Sequence, residues 1–131
     1  MDTRSKIITR PSAAELTERF PPGQREIVAV RGRFELLQAS LIRQIEQAAS
    51  GSGQTVFAIL AGDGPSNDSL LAERDRAQLL AALRAVDAVV ICDQAETDAL
   101  IAALRPARQI RLDESAVSEL IADVLRRNKT G

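Results

Sequence analysis

At 131 residues the chain is long enough for one domain with a real core and too short for two of ordinary size. Hydrophobic residues make up 45% and charged residues 27%, close to the globular average, so disorder is not expected. Seventeen basic against 18 acidic residues exclude the basic footprint of non-specific nucleic-acid binding, and zero histidines exclude a Ser-His-Asp triad, a Cys-His pair and any histidine metal site.

In chain order, the N-terminus MDTRSKIITR lacks an apolar signal-peptide core, and no apolar run approaches a membrane span. A cytoplasmic location with no membrane partner is expected. Ser12-x-x-Glu15 has capping-box spacing, and Leu16 and Phe20 lie four apart on one helical face, so a short helix is predicted over 12–20. Pro21, Pro22 and Gly23 stop it, and Ile27 to Val30, rich in β-branched residues, is predicted as a buried parallel strand.

From Ala39 to Ala49, apolar Leu41, Ile42, Ile45, Ala48 and Ala49 recur at helical spacing, with Arg43, Gln44, Glu46 and Gln47 on the other face. The run SGSG over 50–53 ends that helix, and Thr55 to Leu60 is predicted as the second strand. The loop AGDGPSND, Ala61 to Asp68, lacks the lysine and hydroxyl of a P-loop and the spacing of a dinucleotide fingerprint, and is taken as a strand-to-helix connection. A helix is expected from about Ser69 to Ala85 and a third strand from Ala88 to Cys92.

Asp93-x-x-Glu96 repeats the capping-box spacing before a helix that must end ahead of Pro106. Arg108 to Leu112 alternates polar and apolar as a half-exposed strand does, and Glu114 to Arg127 closes the chain as a helix. The alternation predicts one α/β domain over 1–131, a Rossmann-like three-layer parallel sheet with helices on both faces and a loose tail at 128–131. Cys92, the one cysteine, lies in an apolar run and is read as a small packed hydrophobe; Asp87, at a strand start, is read as a structural cap.

In such sheets ligands bind beyond the carboxyl ends of the strands where strand order reverses, which directs attention to RGRFELLQASL, Arg31 to Leu41. Here the sequence resembles the cytidylyltransferase-like family, whose hallmark is an apolar strand followed by G-x-F-D-x-L-H-x-G-H. Gly32, Phe34 and Leu37 match, and Glu35 stands at the aspartate. Asp75 to Ala77 and Leu83 to Val90 resemble the family's arginine-bearing helix leading into a Val-Asp strand, with Arg76 at the arginine, and residues 6–23 resemble the lead-in helix and turn of heptose-phosphate members.

The departures fall on the chemistry. The family's first histidine corresponds to Gln38, its glycine to Ser40 and its second histidine to Leu41. The resemblance implies that those imidazoles hydrogen-bond the triphosphate as pyrophosphate leaves; losing one such donor costs about 3 kcal/mol, a hundred- to thousand-fold in rate. The Ser-Thr-Thr run before the last helix is reduced to Ala116-Val117-Ser118, and a lysine- and glycine-rich segment is missing between Arg105 and Asp113.

A degenerate, non-catalytic relative that binds a phosphorylated ligand or a protein partner is therefore expected, with no catalytic residue assigned. Candidate nucleotide- or phosphate-binding residues are Arg31, Gly32, Arg33, Phe34, Gln38, Ser40, Asp63 and Arg76, of which Asp63 corresponds to a family aspartate near substrate phosphate or metal. Two readings of the arginines stay open: Arg31, Arg33 and Arg76 converge on an anion, or they are solvated charge, with Arg33 paired to Glu35. Two alternatives also stand. One is an active or altered nucleotidyltransferase using magnesium with its nucleotide to activate a sugar or polyol phosphate. The other is a structural homodimer module, since many members of the family are dimers.

Overall fold

A computed structural model describes residues 3–21, 23, 26–34, 39–49, 53–62, 72–111 and 123–127. It contains a five-stranded, all-parallel sheet in the order β1-β4-β3-β2-β5, with β1 Ile7–Thr9, β2 Glu26–Gly32, β3 Gln54–Ala61, β4 Ala88–Cys92 and β5 Arg108–Arg111. The described helices are α1 Ala13–Arg19, α2 Ala39–Ala48, α3 Glu73–Ala81 and α4 Thr97–Leu104. Residues 123–127 are also helical. The Rossmann-like α/β architecture read from the alternation is the one observed.

Strand alternation sorts the core into two layers. Val28 and Val30 of β2, with Val56, Ala58 and Leu60 of β3, pack beneath Leu41 and Ile45 of α2 and Ala77 and Leu80 of α3. The intervening Ile27, Ala29, Phe57 and Ile59 face Leu16 of α1 and Leu100, Ile101 and Leu104 of α4. Each strand residue thus serves the opposite layer from its neighbours, which is why β2 and β3 read as continuous apolar runs.

Three expectations need correction. The segment 6–23 is not all lead-in helix and turn: Ile7–Thr9 forms an edge strand on β4, because extended backbone there satisfies hydrogen-bonding groups along the sheet margin. Helix α1 does begin as predicted, with the Ser12 Oγ accepting the Glu15 N–H at 3.1 Å. Second, α3 ends at Ala81; Leu83 and Val86 N–H groups close tight i→i−3 turns instead. Third, Asp93 makes no side-chain cap bond. A single 3₁₀ turn, Gln94–Glu96, precedes α4, and the Asp93 carboxylate is drawn away to Arg10. The predicted final helix lies outside the described residues except for 123–127.

Asp87 is structural, as its position suggested. Its Oδ2 accepts the Val56 N–H at 2.8 Å and its own N–H donates to the Val56 carbonyl at 2.9 Å, stitching the start of β4 to β3.

Candidate functional site

The chain steps outward from β2 through β3 to β4, then crosses back to lay β5 on the other side of β2. The carboxyl ends of β2 and β5 therefore border the crevice that a reversal of strand order leaves open. A cleft of about 190 Å³ opens there, lined by Arg31 and Gly32 at the end of β2 and Arg33 just after it, Ile59 and Ala61 from β3, Gln94 from the 3₁₀ turn before α4, Thr97 at the start of α4, and Arg111 from β5.

Arg31 and Arg111 are direct partners in the parallel register of β2 and β5. Strands pair at about 4.8 Å, and partnered residues leave the same face, so both arginine side chains rise from neighbouring positions on the α4 side of the sheet. Like charges so placed are destabilising unless something neutralises them. Arg31 is 17% exposed and donates from Nη1 to Asp98 Oδ1 at 2.9 Å, whereas Asp98 itself is 89% exposed. Among the described residues, no carboxylate pairs with Arg111.

Of the predicted residues, Arg31, Gly32 and Arg33 line this cleft together. Arg76 does not join them there. It is fully buried under α3, in the layer on the other face of the sheet, and its Nη1 donates to the Arg33 carbonyl at 2.6 Å. Phe34 is fully buried as well, at φ 53°, a left-handed conformation that costs an aromatic residue about 1 kcal/mol or more. Burial of the ring and the Arg76 bond to the preceding carbonyl hold that reversal in place. Ser40 is exposed in the first turn of α2, while Gln38, Asp63 and Glu35 lie outside the described residues.

Leu41 is 1% exposed and belongs to the core beneath α2. Its helical spacing with Ile45 and Ala48 signalled this in the sequence. Arg111, Gln94, Thr97 and Asp98 were not singled out beforehand. Only strand order and register bring them to β2, and neither leaves a local signal.

Thr97 is buried; its Oγ1 lies 3.3 Å from the Asp93 carbonyl, to which it donates, and 3.4 Å from Cys92 Sγ. The thiol also points at the Leu60 carbonyl, 3.8 Å away, and burial pushes its pKa up. Cys92 is thus a packed hydrophobe with weak polar contacts. Among the described residues no cluster of His, Cys, Asp or Glu could hold a metal ion.

A second charged cluster sits over β1, β3 and β4. Arg10 Nη1 lies 2.8 Å from Glu73 Oε1, and its Nε lies 3.0 Å from Asp93 Oδ1. The Glu73 bond, then the Asp93 bond, raise the Arg10 pKa further above neutrality. The tie closes over Gly62, where a Cβ would collide with the Glu73 carboxylate.

No protein-family model matches the chain. It is 33% identical over 123 residues to bifunctional protein HldE of Koribacter versatilis, covering 90% of this chain and 25% of that protein. It is 38% identical over 90 residues to HldE of Methylobacillus flagellatus, covering 64% of this chain and 18% of the relative. This homology links the chain to the cytidylyltransferase-like superfamily. The chain spans about a quarter or less of the curated relatives it matches. A lipopolysaccharide core biosynthesis protein of Thermoplasma volcanium shares the fold, with a TM-score of 0.58, 16% identity, and coverage of 76% of this chain and 88% of that one. The cleft lies after β2, whose last residue is Gly32, and Leu41 lies in the core on the opposite face of the sheet.

Proposed function

We propose that this nucleotidyltransferase-like chain binds a phosphorylated ligand in the cleft between β2 and β5 and does not transfer nucleotides. The observation that carries the reading is the register of Arg31 with Arg111, two neighbouring cations with one exposed carboxylate, on Arg31. Guanidinium groups fork onto phosphate oxygens through paired N–H donors, and the N-terminal end of α4 adds to the same positive field. Leu41 explains why binding is not followed by transfer. A side chain without donors, committed to the core, cannot steady charge on a leaving pyrophosphate.

Titration calorimetry with inorganic pyrophosphate and with CTP tests the binding. Heat is expected from the wild type and not from Arg31→Ala combined with Arg111→Ala. A coupled assay for pyrophosphate release, with CTP or ATP and a sugar or glycerol phosphate, tests the chemistry. Sustained release that disappears in the double variant would show a working transferase and end the reading.

A further inference from the structure

Arg31 is a half-spent cation. Its side chain is 17% exposed, yet its ion-pair partner among the described residues, Asp98, is 89% exposed and reaches it through one oxygen. A guanidinium carries five N–H donors in a planar fork, so one monodentate bond to a solvated carboxylate leaves most of that capacity unused. The neighbouring Arg111 lines the same cleft and has no carboxylate among the described residues.

Resting on the binding reading above, we propose that Asp98 is a displaceable internal counter-ion: it occupies one arm of the Arg31–Arg111 anion site and must yield when a phosphate group enters. A carboxylate brings one negative charge and two oxygens on a tethered arm. A phosphoryl group brings nearly two charges and three oxygens, enough to engage both arginines at once. Asp98 therefore lowers affinity for every anion but lowers it most for singly charged ones, which cannot neutralise the pair better than the resident group does. Being almost wholly in water, Asp98 loses little solvation on release, so the exchange is reversible.

The test compares wild type, Asp98→Asn, Asp98→Glu and Arg111→Ala by calorimetry with inorganic phosphate, inorganic pyrophosphate and CTP, and by melting without ligand. Asp98→Asn is expected to tighten pyrophosphate binding about threefold to fivefold, the scale of one exposed ion pair, and to lower the ligand-free melting temperature because the two arginines then repel unopposed. Asp98→Glu, which keeps the charge, should stay near wild type. Phosphate binding with the same Asp98 dependence places the site on the phosphoryl group alone, whereas a response confined to CTP assigns it to a phosphate carried by a nucleoside. Unchanged or weakened binding in Asp98→Asn, with binding still lost in Arg111→Ala, would overturn the counter-ion role and leave the binding reading standing. No binding by any of the four proteins would remove both.

Discussion

Two arginine clusters crown the same edge of the sheet, and they are built on opposite balances. Over β1, β3 and β4, one arginine, Arg10, is held by two carboxylates, Glu73 and Asp93. Between β2 and β5, Arg31, Arg33 and Arg111 line a cleft, and Arg31 is bonded to one exposed carboxylate, Asp98. The first cluster is satisfied within itself and fastens an edge strand to α3 and to the end of β4. The second sets Arg31 and Arg111 against one exposed carboxylate among the described residues, at the place where strand order reverses, which is where a parallel sheet receives ligands. Charge in the first therefore serves the fold, and charge in the second is what the proposed ligand would meet.

The most severe substitution forces a donor into the apolar layer under α2, on the face opposite the cleft. Leu41→His is expected to destabilise the protein by about 3 kcal/mol, since it trades a fully packed leucine for a ring whose nitrogens find an apolar layer. Urea denaturation measures the loss; a loss under about 1 kcal/mol would mean that the site can still accept the family's histidine.

Next in size is Arg76→Met, expected to cost about 2 kcal/mol because it strips the Arg33 carbonyl of a charged donor at 2.6 Å and releases the reversal at Phe34. Unlike either surface cluster, this effect should barely change with salt. A strong salt dependence would return Arg76 to the solvent-facing cations.

Arg10→Ala sharpens the contrast from the other side. Its ion pairs are double, but the side chain is 42% exposed, so solvent screening limits the expected loss to about 1 kcal/mol, shrinking in 1 M salt. Arg111→Ala should instead leave ligand-free stability within about 0.5 kcal/mol, or raise it, because it relieves repulsion against Arg31. Parallel melts at low and high salt separate the two. Equal losses from both substitutions would erase the distinction.

The smallest effect concerns Cys92, beneath Thr97. Its folded pKa is raised by burial, so folded and unfolded chains bind the thiol proton equally at neutral pH. As pH rises past the unfolded thiol value of about 8.5, the unfolded chain ionises first and stability falls. Wild type should therefore lose melting temperature between pH 8 and pH 10 more steeply than Cys92→Ala does. Identical slopes would place the thiol in contact with water.

Much of the architecture was legible in the residues. The runs at Ile27, Thr55 and Ala88 read as buried strands, the spacing of Leu41, Ile45 and Ala48 as one helical face, and their alternation predicted the parallel sheet that is observed. Local chemistry also placed the Ser12 cap and stopped α4 before Pro106. The three-residue strand at Ile7 escaped because it is too short to show a period, and its extended form depends on an edge of β4 that is 82 residues away.

The candidate site divides along the same line. Gly32 with Phe34, and Gln38 and Leu41 where the resemblance expects histidines, belong to one contiguous segment, so the resemblance and its departures could be read from the sequence by itself. Which arginines share a cleft was decided only by tertiary structure. Arg76 looked like a ligand-facing cation and is buried on the far side of the sheet, whereas Arg111 carried no signal and stands beside Arg31. The physical reason is that side-chain direction follows from local backbone period, but the neighbour across a sheet follows from strand order and register, which are settled by packing the whole core at once.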